Sequence, residues 1–123
     1  LDTCTVLWYL NGDSRLSVKV RDLIEDTANR ILVSLASVWE VAIKVSVEKL
    51  KFPNGAAGFV EQIKEKALTL LPIKEEYILK VEKLPFHHRD PFDRLIVASA
   101  QVEKITLLSD DTEIKKYKVA RKW

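Results

Sequence analysis

HHRDPFDRLIVASA, His87 to Ala100, decides how this chain is read. Asp90-Pro91 is a helix start: an aspartate cap followed by proline at the first helical position, where its missing N–H costs nothing. From Phe92 onward the segment is almost wholly apolar, so the helix it starts is a buried one. One acid suffices as cap. Asp93, three residues on, is left either as the distal half of a capping-box-like pair with Asp90 or as a residue with another purpose.

Working outward, the apolar runs Ile31–Ala36, Leu68–Ile73 and Ile105–Leu108 are short and continuous instead of alternating. They read as strands buried on both faces, as in a parallel sheet. Helical patterns lie between them: Val20, Leu23 and Ile24 entered from Ser17; Val38, Val41, Ala42 and Val45 entered from Ser34–Ser37; Phe59, Ile63 and Ala67 after Pro53-Asn54-Gly55; Tyr77, Ile78 and Val81 stopped near Pro85. A short helix over 112–116 precedes a last strand over Tyr117–Trp123. Strands alternating with helices predict an α/β fold, a three-layer α/β/α sandwich around a mainly parallel sheet.

With 123 residues the chain fits one domain, 1–123, with a core of ordinary size. Its 20 basic and 18 acidic side chains nearly balance, so net charge says little about a nucleic-acid partner. The lone Cys4 excludes an internal disulfide framework and suits a reducing cytoplasm. No apolar run approaches the roughly 20 residues of a membrane span, and no signal peptide is visible. The chain opens on Leu1-Asp2-Thr3 and has no Met, so a few strand residues are expected ahead of it in the natural protein.

Leu1-Asp2-Thr3 reads as the carboxyl end of a first strand, and Leu107–Asp111 as that of a later one. In a parallel sheet with crossover helices, helix N-termini and strand C-termini share one edge. Asp2, Glu40, Asp93 and Asp111 are therefore all expected at the edge where open α/β sheets bind ligands. Carboxylates so gathered repel unless a cation neutralises them. An all-oxygen set favours Mg²⁺ or Mn²⁺ over zinc. Such a site suits water attack on a phosphoryl group. Each acid also has a structural reading: Glu40 as an i, i+4 partner of Lys44, Asp110 and Asp111 as caps of the last short helix, Asp2 as an idle terminal residue.

In combination, Leu-Asp-Thr, SVWEVAIK (Ser37–Lys44), DPFDRLIVASA (Asp90–Ala100) and Leu-Leu-Ser-x-Asp resemble the PIN domain, and more closely the VapC-type toxins of toxin–antitoxin pairs. The resemblance spans essentially the whole chain. It implies a PIN-like sandwich, Mg²⁺- or Mn²⁺-dependent RNA cleavage, a cognate antitoxin and a homodimer. It puts the catalytic and metal-binding acids on Asp2, Glu40, Asp93 and Asp111, with Thr3, Ser109 and Asp110 beside them. The family's hydroxyl-x-Asp pattern favours Asp111 over Asp110 as the ligand.

Lys44 and Arg94 read equally as contacts to an RNA backbone or as partners of nearby acids. His87 and His88 read as exposed loop residues. The basic run Lys115, Lys116, Lys118, Arg121 and Lys122 reads as a solvated face. Trp8, Tyr9, Leu10 and Trp39 read mostly as core, with part left for an interface. A phosphatase with Asp2 as nucleophile wants a second acid where Cys4 stands, and three glycines leave no phosphate loop for a nucleoside triphosphatase. A catalytically inactive RNA- or protein-binding module on the same fold is the remaining alternative.

Overall fold

The computed structural model describes residues 1–123. Six α-helices and four short strands alternate: α1 (Thr3–Asn11), α2 (Val18–Glu25), β1 (Leu32–Ser34), α3 (Leu35–Ser46), α4 (Gly55–Glu65), β2 (Thr69–Leu71), α5 (Glu75–Glu82), α6 (Pro91–Glu103), β3 (Leu107–Leu108) and β4 (Arg121–Lys122), with a 3₁₀ turn at Ile114–Lys116. All strand pairs are parallel, β1 with β2 and β3 with β4. The fold is α/β, as the strand–helix alternation predicts.

Period-two alternation in the strands builds the layers. Leu108 and Leu70 pack into a core with Val6, Val20, Phe59 and Ile63, from α1, α2 and α4. Their chain neighbours Leu107 and Leu71 turn to the opposite core, with Tyr77, Leu95 and Ile96 from α5 and α6. The strands therefore lie between two helical layers. In α6 every residue from Arg94 to Ala100 is buried, which explains why that segment is apolar all round. At about 1.5–3 kcal/mol for each large aliphatic buried, this helix anchors the fold.

Three expectations shift. The strands are shorter than the apolar runs. In β1 the reason is local: Ser34 accepts the N–H of Ala36 and so starts α3 within the apolar run. The last strand occupies only Arg121–Lys122 of the expected Tyr117–Trp123. The expected strand end at Leu1–Thr3 is a helix start, because Asp2 accepts the N–H of Thr5 at 2.8 Å and caps α1. Helix α1 itself was not legible, since TCTVLWYLN is apolar on several sides and lacks a 3.6-residue stripe. Gly12, in the left-handed region at φ 63°, closes it.

Leu1 and Asp2 still stand where a strand residue would. The Leu1 backbone nitrogen donates to the carbonyl of Leu32 in β1 at 2.9 Å, and the Asp2 N–H donates to that of Leu108 in β3 at 3.2 Å. This two-residue bridge is what joins the β1–β2 and β3–β4 pairs. It also fixes Asp2 beside the carboxyl ends of both strands.

Candidate metal centre

The carboxyl edge of the strands collects the predicted acids on four different elements. Asp2 caps α1; Glu40 lies in the second turn of α3; Asp93 lies in the first turn of α6; Asp111 follows β3 by three residues. Two of them are buried outright, Asp2 and Glu40 at 4% exposure each.

Asp2 is held by both oxygens. Oδ1 accepts the Thr5 N–H, and Oδ2 accepts the hydroxyl of the fully buried Ser109. Glu40 is held the same way from the other side. Thr3 Oγ1 lies 2.9 Å from Glu40 Oε1 and 2.9 Å from Ser37 Oγ. A carboxylate only accepts, so the single Thr3 proton goes to Glu40 and Ser37 donates to Thr3. Lys44 closes on Glu40 Oε2 at 2.6 Å. The i, i+4 pair therefore forms, but its acid is buried and its lysine lies at the rim, 42% exposed. Burial pulls the Lys44 ammonium down, but the bond to Glu40 and the charges of Glu40, Cys4 and Asp90 together outweigh this and raise it.

Asp90 and Asp93 separate cleanly. Asp90 Oδ1 accepts from the N–H groups of Phe92 and Asp93, at 2.8 and 3.3 Å, and Pro91 follows it. A capping box would have Asp93 accept the Asp90 N–H. That N–H goes instead to His88 Nδ1 at 3.0 Å. The Asp93 carboxylate is left facing His88 Nε2 at 3.4 Å, and the same nitrogen lies 2.8 Å from Asp111 Oδ2. Single ligand atoms of His88, Asp93 and Asp111 all lie within 4.8 Å of one another. The doublet separates too. Asp110 is exposed, whereas Asp111 Oδ1 accepts the N–H groups of Glu113 and Ile114 and Oδ2 meets His88. Asp111 is thus a cap and a partner of His88 at once.

The electrostatics show that the acids feel one another. Asp93 is pushed up to about 7, first by desolvation, then by the charge of Asp90, and further by Glu40 and Asp2; His88 alone opposes this. Cys4 is exposed yet senses the same field, its thiol pushed up to about 11 by desolvation, then Asp2 and Asp93. Burial raises Asp111, but the His88 bond and the two backbone N–H groups outweigh it and hold the carboxyl low. For His88, burial pulls downward while the Asp111 bond and the charges of Asp93, Asp111 and Asp90 win, so the net shift is upward. The Asp90 N–H aimed at Nδ1 opposes a second ring proton and works against that shift.

This donor set fits a hard divalent cation. Of the three ligand atoms that lie together, two are carboxylate oxygens, of Asp93 and Asp111, and the third is a His88 ring nitrogen, and Asp93 carries a cost of desolvation and like charge that such an ion would offset.

Three sequence expectations are corrected here. His88 is not a loop side chain in solvent; it joins two of the acids, and only the proximity of HHRD to Asp93 hinted at it. Arg94 does not face a nucleic acid. It is 6% exposed, and its guanidinium donates to the carbonyls of Pro85, Val81 and Leu84 and to the Tyr117 hydroxyl, clamping the end of α5 to α6. Arg121 leaves the solvated basic face, since its guanidinium donates to the Ser109 carbonyl. Of the large apolar residues Trp8, Tyr9, Leu10 and Trp39, the first three pack against core, while Trp39 is 57% exposed, edge-on to Phe92. No helix is long and apolar enough to cross a membrane.

Compared with known families, residues 1–120 match the family model described as PIN domain. No curated protein matches the chain.

Proposed function

The chain belongs to the PIN domain family, whose members are in general metal-dependent nucleases acting on RNA, and from that premise we propose that it is a metal-dependent endoribonuclease, the toxin of a type II toxin–antitoxin pair. The observation that carries the reading is Asp93. A carboxyl in the first turn of a buried helix, not used as a cap, is held near 7 by desolvation first, then by the charge of its neighbour Asp90, with Glu40 from α3 and Asp2 from the start of α1 adding to it. Carboxyls perturbed in this way cluster at functional sites, and a bound cation would offset the cost.

In this reading Asp93 and Asp111 offer the open oxygens and Asp2 and Glu40 complete the acidic wall. The bound cation, Mg²⁺ or Mn²⁺, supplies charge stabilisation at a phosphoryl oxygen and a lowered pKa for the attacking water. The chain's own residues do the rest. Ser109 and the Thr5 N–H hold the Asp2 carboxylate at one angle, and Thr3 and Lys44 hold that of Glu40. Thr3, Ser109 and Ser37 are positioning residues and Asp110 is a bystander. The N-termini of α1, α3 and α6 direct partial positive charge toward a phosphate at this edge, and Lys44 is the cation placed to meet it.

The partners follow from surface. Along α3 and its C-cap residue Val47, Leu35, Trp39, Ile43 and Val47 recur every four residues, and all four are exposed. A continuous apolar stripe on one helix face suits a homodimer contact. The antitoxin would act by covering or entering the acidic pocket. The protein would work as one domain in the cytoplasm.

The test is cleavage of an RNA pool with Mg²⁺ or Mn²⁺, with and without chelator, by wild type and Asp93→Asn. Cleavage confined to metal-loaded wild type is expected. Cleavage that survives chelation, or that Asp93→Asn leaves intact, refutes the reading.

A further inference from the structure

We propose that His88 is a positioning residue of this centre: its ring carries the proton on Nε2, holds the Asp111 and Asp93 carboxylates together, and stays outside the metal's coordination sphere. The inference rests on the metal-dependent reading above. Spacing alone argues the opposite, since His88, Asp93 and Asp111 present ligand atoms within 4.8 Å of one another, close enough for a three-ligand site. Hydrogen bonding decides the matter.

Nδ1 accepts the backbone N–H of Asp90 at 3.0 Å. A ring nitrogen that accepts a bond has its lone pair engaged and bears no proton, so the proton of the neutral ring is on Nε2. Nε2–H then donates to Asp111 Oδ2 at 2.8 Å, with Asp93 Oδ2 second at 3.4 Å. To ligate a metal, Nε2 must give up that proton to Nδ1, where it would meet the Asp90 N–H donor to donor.

Neither side can turn away cheaply. The Asp90 carboxylate caps α6, and its carbonyl accepts the Arg94 N–H in the first turn. Turning the Asp90 N–H away means rotating the Arg89–Asp90 peptide, which changes the backbone angles at the residue whose carboxylate and carbonyl both hold the first turn of the helix. The histidine is fixed as well: its backbone N–H donates to the Tyr117 hydroxyl at 2.8 Å, and that oxygen also accepts from the buried Arg94 guanidinium at 3.2 Å. The Arg94–Tyr117 pair thus sets the height of the ring over the pocket. A donor so placed orients two carboxylates that lie on different elements and would otherwise repel. This is the work that outer hydrogen bonds perform around metal centres.

The experiment is Mn²⁺ titration followed by electron paramagnetic resonance, on wild type, His88→Ala and His88→Gln, with pulsed measurement of nitrogen coupling on the wild type. Gln keeps an N–H donor near the reach of Nε2; Ala removes it. We expect no directly bound imidazole nitrogen in wild type, Mn²⁺ binding about 10–100-fold weaker in Ala, and recovery in Gln. Circular dichroism melts of both variants check folding, and the wild-type nitrogen measurement needs no variant. A strong imidazole coupling in wild type, or an Ala variant that binds like wild type, overturns the proposal. Wild type that binds no Mn²⁺ overturns the metal-dependent reading itself, and the role of His88 with it.

Discussion

Asp93→Asn in metal-free protein should raise stability at neutral pH while abolishing metal binding. The carboxyl is pushed from 3.8 to about 7. At about 1.4 kcal/mol per tenfold change in proton affinity, the ceiling on the cost of its charge is about 4 kcal/mol. The side chain keeps 18% exposure and has His88 alongside, so about half of that, ~2 kcal/mol, is the expected figure. Below pH 4 the carboxyl is protonated in both folded and unfolded chains and contributes nothing. Between pH 4 and 7 the unfolded chain loses this proton while the folded one keeps it, so wild-type stability falls as pH rises, and flattens above 7. Asn carries no proton to lose, and its carbonyl still accepts from His88. Urea melts in chelator should therefore show the two proteins equal near pH 4 and the variant ahead by ~2 kcal/mol at pH 8, on the order of 5–10 °C in Tm. Mn²⁺ at about 100 times its Kd should add ~2.7 kcal/mol to wild type alone and reverse the order. A variant no more stable than wild type at pH 8, or a gap of the same size at pH 4, refutes the argument.

Asp111→Asn should lower RNA cleavage far more than Asp110→Asn, because of the two only Asp111 meets His88 and groups with Asp93; equal losses in a side-by-side cleavage assay would contradict this placement. Arg94→Met should cost about 3–5 kcal/mol in urea melts, since it strips three carbonyls and the Tyr117 hydroxyl of their shared donor inside the fold. A loss under 1 kcal/mol would show the clamp to be idle. Trp39→Glu should convert a dimer to a monomer in light-scattering chromatography with little change in the thermal melt, as the ring is 57% exposed; a variant that stays dimeric removes the α3 stripe as the contact.

Sequence alone determined the helix started by Asp90-Pro91, the alternation of strands and helices, and the expectation that acids from distant segments share an edge. These are local or periodic signals: a cap followed by proline, an apolar run too short for a helix, a chain order that puts every helix start beside a strand end. It did not reveal α1, whose apolar residues surround the axis because Trp8 and Tyr9 flank one core while Val6 enters it. Nor did it give the fates of His88, Arg94 and Trp39. Each depends on what lies opposite after folding: two carboxylates from α6 and the loop after β3, the carbonyls ending α5, or solvent. The same holds for the two aspartate pairs. Sequence could name Asp90 as a cap, and the family's hydroxyl-x-Asp pattern favours Asp111 over Asp110, but what turns Asp111 inward is β3 ending beside the two-residue bridge of Leu1 and Asp2. Charge on a side chain is written in the sequence. Whether that charge is neutralised, strained or shared is a matter of distance, and only the tertiary structure supplies distance.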